Sequence, residues 1–136
     1  MKLSRFSIVA TLLLGSLMGH GGGCCEGGDE VFGPSTQTVC PPAGTALTYT
    51  NFGKPFMETY CTRCHASDKE GAARMGAPSF HDFDTLFGID AVSDHIDQTT
   101  AAGPAATNDS MPPDGKKPSL AERQMLAEWI ACGVPQ

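Results

Sequence analysis

The chain has no apolar run long enough to span a membrane. Its most apolar stretch, Phe6 to Met18, is thirteen residues, against the roughly 20 that a spanning helix needs. It is also short of positive charge: beyond residue 23, seven Lys and Arg stand against fifteen Asp and Glu, a formal charge of −8, and neither Lys nor Arg occurs between Arg74 and Lys116. That balance excludes the basic footprint of a nucleic-acid binder. Alternating strand patterns are almost absent, so the segments read as helical. There are no internal repeats, and no nucleophile with a base or carboxylate pair stands in a recognisable catalytic motif.

What is present begins with an export signal. Lys2 and Arg5 precede the apolar run, and Gly19 and Gly21 to Gly23 follow it, so residues 1–23 read as a cleaved signal peptide. Such a chain reaches a compartment where disulfides form. Cys24 directly follows the glycines and leaves two outcomes: a lipidated first residue that tethers the protein to a membrane, or plain cleavage to a soluble periplasmic form. Gly21 stands where the usual lipobox has Leu or a similar residue. Residues 24–49 are rich in Gly, Pro and Thr without helical or strand period and read as a linker, and residues 50–134 read as the compact domain.

The densest signal is Cys61-Thr62-Arg63-Cys64-His65. Two thiols three positions apart and an adjacent imidazole form the covalent haem attachment signature. The sulfurs add to two vinyl groups on one porphyrin edge, and the imidazole places a nitrogen on iron. A zinc ribbon would need a second Cys or His pair nearby, yet the next cysteine after Cys64 is Cys132. A thioredoxin-like pair would need a strand-to-helix context, which the helical periods do not supply.

Around this motif the pattern predicts a small all-α domain of three to five helices. Asn51 is the expected cap of a helix carrying Phe52, Phe56 and Tyr60, with Pro55 in its first turn and the haem motif at its end. A loop runs to Pro78, a short helix covers about Asp82 to Phe87, and a longer one covers Ile89 to Thr100 on the stripe Ile89, Val92 and Ile96. Ser119 and Glu122 form a capping box for a last helix that buries Met125, Leu126, Trp129 and Ile130 and stops at Gly133.

On these residues the chain resembles a class I c-type cytochrome over about 95 residues. The resemblance implies a cytochrome c-like domain around one covalently attached haem c, with Cys61 and Cys64 as thioether anchors and His65 as proximal iron ligand. In that family a glycine eight positions before the first haem cysteine lets the first and last helices cross closely, and Gly53 holds that position. Leu126 and Trp129 match the Leu-x-x-aromatic of the last helix. Met57 stands where the family often has an aromatic, leaving Phe56 or Tyr60 to take up that packing.

The resemblance further implies a distal Met on a loop before the last helix, and Met111 in Asn108-Asp109-Ser110-Met111-Pro112-Pro113 has that place. The following prolines keep Met111 out of the helical region and stiffen its loop. Met75, His81 and His95 remain rivals for the sixth position. Gly76-Ala77-Pro78 resembles the family segment whose Pro carbonyl accepts a hydrogen bond from the proximal imidazole. Asn108 and Ser110 are candidate donors to the Met111 sulfur. If the terminal helices cross as the resemblance implies, Cys40 and Cys132 come close enough for a disulfide worth about 3–5 kcal/mol.

The function implied is a single-electron carrier outside the cytoplasmic membrane, cycling Fe(III)/Fe(II) with His65 and Met111 retained, and not an enzyme. Redox proteins would be its donors and acceptors. Two other readings stay open: a haem sensor with an open sixth position, and a fixed electron-transfer subunit of a larger complex. The acidic stretch between Arg74 and Lys116 reads as a solvated face or a docking surface for a basic redox partner. Lys116 and Lys117 read as a solvated pair or as docking residues beside the haem edge.

Overall fold

The computed structural model describes residues 32–136. The export signal, Cys24 and Cys25 lie outside the described residues. Among those described, the protein is a small, mostly helical domain without strands: α1 (Lys54–Tyr60), α2 (Leu86–Asp90), α3 (Ser93–Thr100) and α4 (Leu120–Ala131). A π turn (Tyr49–Gly53) leads into α1, and a 3-10 turn (Gly71–Arg74) lies in the long connection to α2.

The first helical segment starts earlier than Asn51. Thr48 is its cap: the Thr48 hydroxyl accepts from the Asn51 amide at 3.1 Å, and the Asn51 side chain accepts from the Thr48 amide at 2.7 Å. The two residues form a reciprocal box in which Asn51 stands in the place usual for Glu or Gln. Carbonyl acceptors then shift by one residue, as Gly53 N donates to Thr48 O at 3.0 Å, which widens the first turn. Phe52, Phe56 and Tyr60 are all buried, as their four-residue spacing requires, and Met57 between them is fully buried.

The helix predicted over Ile89–Thr100 is two helices. Val92 departs from helical geometry (φ −136°, ψ 31°) and separates α2 from α3. Ile89, Val92 and Ile96 nevertheless all reach the core. Their spacing of three and then four holds across the break, so periodicity could not reveal it. Of the two helices, α2 also takes in the end of the short helix expected over Asp82–Phe87: it begins at Leu86, capped by the Thr85 hydroxyl on Gly88 N at 3.0 Å, and not at Asp82.

The last helix follows its start signal. Ser119 Oγ accepts from Glu122 N, and Glu122 Oε2 accepts from Ser119 N at 2.7 Å. Leu126 and Trp129 are fully buried, and side chains of their size contribute about 1.5–3 kcal/mol each relative to exposure. Met125, expected in the core, is 39% exposed, because α4 turns Arg123, Leu126 and Ala127 inward instead. Gly133, at φ +81°, ends the helix in the left-handed region that glycine adopts without strain.

The described part of the stretch expected as a linker has an irregular backbone up to Thr48 but packs on the domain from Gly33 onward. Gly33 N donates to Gln98 O at 2.9 Å, Thr36 is 1% exposed, and Thr45 Oγ1 donates to Glu128 on α4 at 2.6 Å. Composition shows the absence of regular structure but not the hydrogen bonds that side chains supply in its place. Cys40 and Cys132 are disulfide-bonded with Cα atoms 4.8 Å apart, fastening this stretch to the end of α4.

Candidate haem-binding site

The Cys61–His65 motif stands at the C-terminal end of α1. Cys61 caps the helix, its amide donating to Met57 O at 2.8 Å, and Cys64 N and His65 N both donate to Cys61 O at 3.1 and 3.0 Å. This tight turn puts both thiols and the imidazole at one end of the helix. Cys61 and Cys64 are free and partly buried, in contrast to the bridged Cys40 and Cys132. Burial, with Cys64 beside it, pushes the Cys61 thiol up to about 12. A thiol redox pair needs the opposite shift, toward the thiolate.

The His65 ring stacks on Phe83 with centroids 4.5 Å apart and 10° between planes, and on His81 at 6.0 Å. Burial and the neighbouring His81 hold the imidazole down at about 4, so it is neutral near pH 7 and able to donate a lone pair. His65 Nδ1 is buried without a hydrogen-bond partner. An orphaned ring nitrogen is costly unless a bound group completes its surroundings. Two unbridged thiols and a neutral, incompletely satisfied imidazole therefore fit a group held through two sulfurs and one ring nitrogen.

Pro78 has other duties than the expected one. Its carbonyl accepts from Arg74 Nη2 at 2.5 Å and from His81 N at 3.1 Å, not from His65. A buried guanidinium in reach outcompetes a neutral imidazole for a carbonyl. Arg74 is 6% exposed and also donates to the carbonyls of Ala66, Lys69, Ala77 and His81 and to Asp82 Oδ1. It gathers the whole loop behind His65. In sequence it is one cation in a polar loop, with nothing to distinguish it from a solvated one.

Met111 is held by a second buried arginine. Arg123 Nη1 donates to Thr100 O at 2.7 Å, Asn108 O at 2.8 Å and Met111 O at 3.4 Å, while Met111 N donates to Thr99 O at 3.0 Å. The loop returns to the motif through its far end: Asp114 pairs with Arg63, which lies between the two cysteines, and Lys116 Nζ lies 5.3 Å over the Tyr60 ring. Lys117 donates to Asp109 O at 3.1 Å. Neither expected donor reaches the Met111 sulfur. Asn108 Nδ2 bonds Pro34 O and Asp97 O, each at 2.9 Å, and Ser110 Oγ bonds Thr99 O at 3.2 Å. Carbonyl oxygens are better acceptors than a thioether.

The rival ligands are also placed. His81 Nε2 and His95 Nδ1 are 3.2 Å apart, so these two rings occupy each other. Met75 is 59% exposed with its sulfur 3.5 Å from Cys64 Sγ, on the attachment side of the motif. Among the described residues no group of three or more His, Cys, Asp or Glu gathers as a metal cluster. A cavity of about 300 Å³ borders Thr62 and Ala66, but Lys54, Glu58, Asp68, Lys69 and Asp84 line it and suit it to water instead of a porphyrin. The chain matches no protein-family model, no curated protein and no solved structure.

Proposed function

We propose that the protein is a monohaem c-type cytochrome, a single-electron carrier of the exported, periplasmic kind. One observation carries the reading: Cys61-Thr62-Arg63-Cys64-His65 sets two unbridged thiols and a neutral imidazole with an unpartnered Nδ1 on one turn at the end of α1. When bound, the haem supplies a one-electron Fe(III)/Fe(II) change. Cys61 and Cys64 would hold it covalently, and His65 from the motif and Met111 from the loop held by Arg123 would supply its nitrogen and sulfur ligands. A chain that supplies both iron ligands would leave no position for substrate, which favours transfer over catalysis. The Cys40–Cys132 disulfide suits an oxidising compartment and agrees with the export signal.

His81 is the rival for the sixth position: its ring lies 6.0 Å from that of His65, its Nε2 would have to leave His95 Nδ1 at 3.2 Å to reach iron, and a second imidazole would lower the potential relative to a Met. The test uses mature protein made with extracytoplasmic haem attachment. We expect pigment that stays with the chain in acidic acetone and is released only when Cys61 and Cys64 are both replaced by Ala. Colourless protein, or pigment that extracts from the unaltered chain, overturns the assignment. Met111→Ala is expected to abolish the weak long-wavelength absorption of Met ligation and to leave high-spin iron. Loss of the low-spin spectrum in His81→Ala instead would transfer the sixth position to His81.

A further inference from the structure

We propose that residues 33–38 are a positioning strap for the Met111 loop, acting through Thr36, Asp97 and Asn108; this rests on the reading that Met111 binds iron. The starting point is Asp97 on α3, a carboxylate only 8% exposed. Among the described residues it forms no ion pair. A buried carboxylate without a cation is tolerated only if hydrogen bonds replace its water. The strap provides them: Thr36 Oγ1 donates to Asp97 Oδ1 at 2.6 Å, and Thr36 N donates to Oδ2 at 2.9 Å.

The same strap holds the ligand loop. Asn108 Nδ2 donates at once to Pro34 O on the strap and to Asp97 O on α3, both at 2.9 Å. Ala105 N donates to Thr36 O at 3.0 Å, so the strap meets the loop at two points, Ala105 and Asn108. Asn108 O in turn accepts from Arg123, the guanidinium that holds Met111 O. Strap, end of α3 and ligand loop are thus one hydrogen-bonded unit. Nothing in the sequence of residues 33–38 marks this, because the bonds from the strap to α3 and to the loop join residues about sixty or more positions apart.

A thioether is a weak iron ligand, so its retention against competitors depends on how little the loop opens. In Thr36→Val the hydroxyl bond to Asp97 is lost with little change in side-chain volume. In holoprotein we expect the apparent affinity for added imidazole to rise about tenfold, the scale of one lost charge-assisted hydrogen bond. Asn108→Ala cuts the strap from the loop while leaving the Thr36–Asp97 pair, and is expected to act alike; it also serves if Thr36→Val does not fold. Thr36→Ser keeps the hydroxyl and should behave as the unaltered protein. Thr45→Val removes the bond to Glu128 elsewhere in the upstream segment and should lower stability without changing imidazole affinity.

Imidazole affinity unchanged in both Thr36→Val and Asn108→Ala overturns the strap, and so does an equal rise in Thr45→Val, which would mean general loosening. Met111→Ala separates the two levels. If its spectrum matches that of the unaltered protein, the ligand reading falls and the strap proposal with it. If Met111→Ala loses Met ligation while the strap variants bind imidazole as before, only the strap proposal falls.

Discussion

A methyl group on Gly53 would lie 2.5 Å from Cη2 and Cζ2 of the Trp129 ring. The backbone at the start of α1 is therefore in direct contact with the indole of α4, whose Nε1 is tied to Pro135 O at 3.1 Å and is not free to withdraw. Gly53→Ala is expected to destabilise the protein by about 1–3 kcal/mol through overpacking. A denaturant titration reads this as a lower midpoint with an unchanged slope.

The disulfide closes a loop between Cys40 and Cys132, 92 positions apart. Replacing both residues by Ser is expected to cost about 4–5 kcal/mol in the chain-entropy account. Because the bond also fastens the stretch upstream of α1, limited proteolysis should cut the Ser variant first near residues 33–45. Cleavage rates equal to those of the bridged protein would contradict this.

Arg74 supports the loop behind His65 by donating to backbone carbonyls and to Asp82 Oδ1 at 2.9 Å. Arg74→Gln is expected to cost roughly 2–4 kcal/mol, since buried acceptors are left without donors. Arg63→Gln gives the contrast, because its pair with Asp114 is exposed and exposed pairs contribute little. Thermal unfolding of the two variants should differ clearly, with Arg63→Gln close to the unaltered protein.

The α4 cap carries a pH dependence. The Ser119 amide and hydroxyl and the Tyr60 hydroxyl hold the Glu122 carboxyl below its ordinary 4.5. With the folded value under the unfolded one, the stabilisation is complete above about pH 4.5 and is lost as pH falls through the folded value. Ser119→Ala should cost about 1 kcal/mol at neutral pH. In Glu122→Gln the acid limb of the stability profile should flatten; an unchanged limb would assign that dependence to other groups.

The α4 cap was legible in sequence because it is local: a spacing of three residues fixes what Ser119 and Glu122 can do, and the turn that carries Cys61, Cys64 and His65 is local in the same way. The Thr48 cap was not, since Asn51 carries the stronger capping preference and only the backbone path shows that it occupies the third helical position. The break at Val92 escaped for the opposite reason, an apolar spacing that survives the turn. Met125 was misplaced because four-residue pairs fit two adjacent faces of a helix, and only the neighbour decides which turns inward.

Short-range order thus determined where most helices begin and end to within a few residues, and which five residues carry the proposed attachment signature. Tertiary structure alone decided that Arg74 and Arg123 are buried, that Pro78 and Asn108 serve backbone instead of the expected sulfur or imidazole, and that residues 33–38 dock on α3. The physical reason is that a buried polar group must find a partner, and which partner is nearest depends on the chain's path in space and not on its order.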